Sequence, residues 1–411
     1  MKIRVGVIFG GESVEHEVSI ISAVQAMYKM DTNQYEVIPI YITKDREWYT
    51  GECLKDIEIY KDMALLKRNA KNVVLYYRKG EFVLQSKGLL RRVVNTIDIA
   101  FPIVHGTNVE DGVLQGYLQS IGIPFVGSDV YASVVGQDKV FMKEIFECEN
   151  LPIVNYTWFF DHEYLEDPEK EMKRILKKLE LPVIVKPAKL GSSVGISVAH
   201  TEEELKEAID NAITYDEKIL VEELVKNLVE VNISTLGNHE NFELSEIEEV
   251  MSAEDFLTYQ EKYLGNGKKG GTITSSKGSK NARSSHKIPA SIDDKLKEEV
   301  RRVASMAVRA LNSSGVARFD FLIDKKAKKV YINEVNSIPG SLAFYLWEPL
   351  NKDYTELLDD MINQGIKDYK RRISKIHSFE TNILEGYHGG AKGLKGTKGL
   401  KGKLQDKRMK I

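Results

Sequence analysis

The sequence predicts an α/β protein whose amino-terminal unit is a doubly wound sheet. Three observations carry this. A buried-type strand, IRVGVIF (3–9), runs into Gly10-Gly11; apolar residues then recur with helical spacing at Val18, Ile21, Val24 and Met27; a second apolar strand, YEVIPIYI (35–42), follows. Strand, helix, strand is the unit from which parallel sheets with flanking helices are built. A chain of 411 residues, 42% hydrophobic and 29% charged, has room for two or three domains with a substantial core.

The elements continue in the same style. DIAFPIVHG (98–106) is an apolar strand ending on His105 and Gly106, VLQGYLQSIG (113–122) a helix stopped by Gly122, and IPFVG (123–127) a short strand. A helix containing Asp138, Lys139 and Met142 leads into a second unit that begins near residue 129. There the strand Val183-Ile184-Val185 closes on KPAKLGSSVG (186–195), a loop of small residues that fits either an anion cradle of backbone N–H groups or a tight turn. It lacks the spacing of a P-loop. Thr201-Glu202-Glu203-Glu204 matches a capping box for a helix to about Ala212, and KILVEELV (218–225) and VEVNISTL (229–236) read as strands.

Residues 258–288 are rich in Gly, Ser and Lys without hydrophobic period, which predicts a lid or an insertion. A long amphipathic helix follows Ser291, with Leu296, Val300, Val303, Ala307 and Leu311 on one face. VARFDFLID (316–324) and KVYINEV (329–335) predict a hairpin around Asp324-Lys325-Lys326. Alternation puts Arg318 with Asp320, and Glu334 with Asn336, on polar faces, and assigns Phe319, Phe321, Tyr331 and Val335 to the packed side. The cluster fits a structural ion-pair network or an oxygen-ligand site for Mg²⁺ bridging phosphates. The Pro-Gly turn of NSIPG, directly after, can aim backbone N–H groups back at it.

Charge and cysteine use narrow the class. The tail 389–411 holds seven Lys, one Arg and one Asp, a net +7, so the other 388 residues carry −10 within an overall −3. Basic residues on the body are interleaved with acidic ones, which argues against a nucleic-acid footprint. The Gly/Lys tail predicts disorder. No run of 18 apolar residues is present, and Cys53 and Cys148 fit two free thiols in a reducing cytosol, so a cytoplasmic protein is expected.

Seven short motifs stand in one order: GGESVEHEVS (10–19), HGTNVEDGVLQG (105–116), GSDVYASVVGQDK (127–139), KPAKLGSSVG (186–195), EKYL (261–264), ARFDF (317–321) and NEVNSIPG (333–340). Over roughly residues 3–365 the chain resembles the D-alanine–D-alanine ligases of the ATP-grasp superfamily. The resemblance implies an ATP-grasp fold behind a Rossmann-like amino-terminal domain. Its expected divisions are 1–128 for the donor domain, 129–221 and 222–375 for the two ATP-grasp subdomains, and 376–411 for the tail.

It also implies roles. KPAKLGSSVG becomes the loop over the nucleotide phosphates, with Lys139, Lys186, Ser193 and Lys262 at ATP. Glu222, Glu223 and Val225 fall at adenine and the hinge, and Glu230 at the ribose. Asp320, Glu334 and Asn336 would hold two Mg²⁺ (Mn²⁺ being an alternative). Glu15 would orient the donor ammonium and link to Ser192 and Tyr263 across the closed site. Arg318 and the Gly340 N–H would steady the oxyanion, and His105, Ser341 and Tyr345 would line the substrates.

The implied reaction joins two D-alanines through a D-alanyl phosphate, for peptidoglycan precursors, in a homodimer. Tyr345 stands where the family carries an acceptor-binding serine, so D-serine or another small D-amino acid is an alternative acceptor. A catalytically silent nucleotide-binding protein is the alternative from another class.

Overall fold

A computed structural model describes residues 2–250 and 286–378. The lid stretch up to 285, with Tyr263 and Lys262, and the tail from 379 lie outside the described residues. Met1–Tyr369 form one unit and Lys370–Ile411 a second. Of the latter, the end of the last helix and the turn after it are described, where Ser374 Oγ donates to the Arg371 carbonyl at 2.7 Å.

The first sheet is built around β1 (Ile3–Gly10), which pairs in parallel with β2 (Tyr35–Ile42) and with β7 (Ile99–Pro102). The helix His16–Lys29 makes the crossover from β1 to β2 and buries three of the four positions its spacing singles out, Val18, Val24 and Met27, while Ile21 is half-buried. Beyond β2 the sheet becomes antiparallel. β3 (Trp48–Thr50), β4 (Lys71–Arg78), β5 (Glu81–Ser86) and β6 (Val93–Ile97) extend it to the order β6-β5-β4-β3-β2-β1-β7. The strand expected over 98–106 is therefore four residues long, and IPFVG makes a single bridge, Ala100 to Phe125.

The second sheet has the order β10-β9-β11-β8, from β8 (Tyr156–Phe160), β9 (Val183–Pro187), β10 (Ser197–Ala199) and β11 (Lys218–Glu223). The third is a five-stranded antiparallel sheet, β14-β13-β12-β15-β16: β12 (Leu228–Gly237), β13 (Phe242–Val250), β14 (His286–Lys287), β15 (Gly315–Asp324) and β16 (Lys329–Asn336). The end of the predicted lid, His286-Lys287, is thus an edge strand on β13. The helix Asp294–Leu311 buries Leu296, Val300, Val303, Ala307 and Leu311 against this sheet.

Asp138 caps the helix Lys139–Cys148 instead of lying inside it, accepting from the Val140 and Phe141 N–H groups at 2.9 and 3.2 Å. A carboxylate at that position satisfies two donors that the first turn leaves unpaired. The helix therefore starts at Lys139, and Lys143, one turn on, reaches Glu222 of β11.

Candidate active site

Three lysines and two glutamates meet beside the glycine-rich loop: Lys139, Lys143 and Lys186 with Glu222 and Glu334. Lys186 on β9 lies opposite Leu220 of β11, so Glu222, two residues on, shares its face. Lys186 Nζ is 2.5 Å from Glu222 Oε2, and Lys143 pairs with the other oxygen of the same carboxylate. Burial pushes the Glu222 carboxyl up, but the two lysines outweigh it and hold its pKa at about 2. Burial lowers Lys143, with the charge of Lys186 adding to it; burial also opposes Lys186, yet Glu222, Glu334 and Glu230 hold that lysine above its ordinary value. Lys139 Nζ donates to the Leu190 carbonyl at 2.6 Å and lies 3.4 Å from Glu334 Oε2. Glu223, Val225 and Glu230 follow along the connection from β11 into β12, half-buried, and Glu223 accepts from Asn155 Nδ2 at 3.0 Å.

Lys186 Nζ also donates to Asn333 Oδ1 at 3.3 Å, and Asn333 marks an irregularity in the hairpin. Asp320 pairs with Glu334, but Phe321 pairs with Ile332, so Asn333 is the extra residue of a bulge. The bulge shifts the alternation: Val330, Ile332 and Val335 face the core while Tyr331 is half-buried, which corrects the assignment of Tyr331 to the packed side. Past the bulge the polar faces coincide. Arg318 grips Asp320 with Nε and Nη2 at 2.7 and 2.8 Å, and Asn336 Nδ2 donates to Asp320 Oδ2 at 3.1 Å. Burial opposes the Arg318 charge, but Asp320 raises its pKa well above the ordinary value.

Asp320, Glu334 and Asn336 are hard oxygen donors, half-buried and adjacent across two paired strands, which fits a magnesium-type cation. Among the described residues no cluster of three His, Cys, Asp or Glu stands ready-made for a metal. Arg318 engages both Asp320 oxygens, so a bound cation would share this carboxylate with it.

The loop reaches the first sheet's helix. Ser192 Oγ donates to Glu15 Oε1, and a Cβ on Gly191 would come within 2.8 Å of Glu15 Oε2, so a side chain there would displace the Glu15 carboxylate. Ser192 and Ser193 both hold positive φ, 53° and 58°, in this turn. Nearby, His105 Nε2 is 3.1 Å from Ser22 Oγ, which accepts the Ser341 N–H at 2.9 Å, and Ser341 Oγ donates to Gln25 Oε1 at 2.7 Å. Burial lowers the His105 pKa to about 4, with Arg318 adding to it, so the ring is neutral at physiological pH. Ser341, Leu342 and Ala343 form a left-handed turn with φ of 49°, 54° and 48° after Gly340. Such residues cost roughly 1–2 kcal/mol each outside glycine, strain of the kind that collects at binding sites.

Glu110, inside the motif HGTNVEDGVLQG, is a further member of this site. Its carboxylate accepts from the Gly106 N–H, the Ile338 N–H and Ser337 Oγ, each at 2.9 Å. Burial and then the Glu15 charge outweigh these donors and push its pKa up to about 7. Folded Glu110 therefore keeps its proton across the window from 4.5 to about 7 in which the unfolded chain loses it. Stability from this group falls as pH rises through that window. Glu110→Gln should gain on the wild type by on the order of 3 kcal/mol between pH 4.5 and 7. Urea midpoints measured against pH check this, and parallel curves for the two proteins would contradict it.

Tyr345 completes the far wall. Its hydroxyl donates to Glu248 Oε2 at 3.1 Å, and the same carboxylate takes Asn232 Nδ2 at 3.2 Å and lies 2.7 Å from His286 Nδ1. Glu248, on β13, is a second site residue missed in the sequence, where the run SEIEEV gave no reason to prefer one of its acids.

Residues 4–128 match the D-ala D-ala ligase N-terminus family and residues 145–363 the D-ala D-ala ligase C-terminus family. A D-alanine–D-alanine ligase of Thermosipho melanesiensis is 39% identical over 93% of this chain and 98% of its own. The chain belongs to the D-alanine–D-alanine ligase family. Another ligase of that name, from Acetivibrio thermocellus, is 37% identical over 91% and 98% of the two chains. Two solved structures align closely in space. The D-alanine-D-alanine ligase of Coxiella burnetii has a TM-score of 0.74 at 25% identity, over 91% of this chain and 96% of its own. The VanG D-Ala:D-Ser ligase of Enterococcus faecalis has a TM-score of 0.72 at 29% identity, over 89% and 100%. The ATP-grasp fold of the ligase family thus accounts for the second and third sheets, and Lys139, Lys186, Glu222, Glu334 and Asp320 lie where those two sheets face each other.

Proposed function

We infer that this chain is an ATP-dependent ligase that joins two D-alanines and releases ADP and phosphate. The observation that carries the reading is the Ser192–Glu15 hydrogen bond. It draws the phosphate-type loop onto the donor-side acid, so nucleotide and amino acid groups share one enclosure.

In the reading, Glu15 accepts the ammonium of the first D-alanine and holds its carboxylate toward the γ-phosphate. Lys139 and Lys186 neutralise the phosphates, Ser193 offers its loop backbone, Glu223 and Val225 hold adenine with Glu222 buried behind them on its two lysines, and Glu230 holds the ribose. Asp320, Glu334 and Asn336 would hold two Mg²⁺, which would supply charge neutralisation at the nucleotide phosphates. The donor carboxylate oxygen bonds to the γ-phosphorus, ADP departs, and a D-alanyl phosphate remains. The amine of the second D-alanine then attacks the carbonyl carbon, and phosphate leaves as the peptide bond forms. Arg318 and the Gly340 N–H face the developing oxyanion. His105, neutral, and Ser341 fix the turn that carries Gly340, while Tyr345 bounds the acceptor.

The same reading assigns peptidoglycan precursor synthesis in the cytoplasm, as a homodimer. Among the described residues no helix is long and apolar enough to cross a membrane. The test is ADP release that depends on D-alanine, with the product identified by mass. D-alanyl-D-alanine from D-alanine alone is the expected result. Release only when D-serine is added would move the acceptor, and no release with either would refute the ligase reading.

A further inference from the structure

Lys143 takes no part in the reaction as drawn, yet it is the most deeply buried cation of the site. Its side chain is 1% exposed, against 7% for Lys186 and 10% for Lys139. Its partner is Glu222, itself 1% exposed, and the Tyr156 ring lies 5.7 Å from Nζ. Lys143 sits one helical turn after Lys139, on the same face of the helix Lys139–Cys148. Two ammonium groups thus share one carboxylate.

The nucleotide reading asks Lys186 to turn from Glu222 to a phosphate. With Lys186 as the sole partner, that movement would strand a buried carboxylate without a counter-ion. We propose that Lys143 is a positioning residue that keeps Glu222 paired when Lys186 swings to the nucleotide phosphates. This rests on the nucleotide reading of the site and adds the group that makes the exchange of partners possible. Phosphate affinity then depends on Lys143 although Lys143 touches no phosphate.

The test is calorimetric binding of ADP and of adenosine to the full chain and its variants. Lys143→Met should weaken ADP by roughly tenfold to a hundredfold and leave adenosine little changed. Removing the charge on Glu222 removes the need for Lys143, so Glu222→Gln and Lys143→Met/Glu222→Gln should bind ADP alike. That comparison stands even where Lys143→Met alone does not fold.

Equal losses for ADP and adenosine, no loss for ADP, or a further loss in the double variant over Glu222→Gln would each overturn the proposal. A wild-type chain that binds no ADP would overturn the nucleotide reading with it. A wild type that binds ADP while Lys143→Met binds it equally well would overturn only the role of Lys143.

Discussion

Arg318→Met is expected to lower kcat for ligation by about 10²–10³, with little change in the KM for ATP. The guanidinium makes a two-pronged contact with Asp320, at 2.7 and 2.8 Å, on the strand beside the Pro-Gly turn. In the proposed reaction, removing it takes away the charged donor for the oxyanion of the second step and frees the carboxylate proposed to hold the metal. Arg318→Lys keeps the charge without the planar fork, and should recover only part of the loss. Arg318 and Asp320 are both largely shielded from solvent, so the change also leaves Asp320 without its charged partner, and thermal unfolding separates that loss of stability from the loss of kcat. A drop in kcat below tenfold would show that Arg318 only braces Asp320.

Glu15→Gln should lower kcat/KM for the donor D-alanine by roughly tenfold to a hundredfold, the cost of turning a charged hydrogen-bond acceptor neutral. The competing account is that Glu15 merely stabilises the start of the helix His16–Lys29, where an acid contributes about 0.3–1 kcal/mol. The two accounts separate in steady-state kinetics. A helix role alone lowers the unfolding temperature and leaves kcat/KM near wild type. Ser192→Ala provides the control, because it removes the contact to Glu15 while leaving the carboxylate in place.

Much of this was legible in the residues. The hairpin β15–β16 follows from strict alternation around an Asp-Lys-Lys turn, and the helix Asp294–Leu311 from its apolar face. The antiparallel strands β3–β6 are absent from the sequence analysis: Val93–Ile97 carries no continuous apolar run, whereas VVLYY (73–77) in β4 is a signal that could have found that strand. The bulge at Asn333 is invisible to a two-residue period, since it breaks that period at one position, and it misassigned Tyr331. Lys143 could have been found: it falls four residues after Lys139 on one helix face. Glu248 could not, because its meaning comes from Tyr345, 97 residues away in sequence. Long-range partners of this kind are set by how sheets pack, not by local pattern.

The central claim is that a D-alanine carboxylate is phosphorylated before the peptide bond forms. Its most direct test uses the D-alanine-dependent reaction with both carboxylate oxygens of D-alanine labelled with ¹⁸O. The phosphate released is then analysed by mass. The account predicts one ¹⁸O in each phosphate, carried there when the acyl phosphate's C–O bond breaks. Phosphate free of label, released alongside dipeptide, would contradict it.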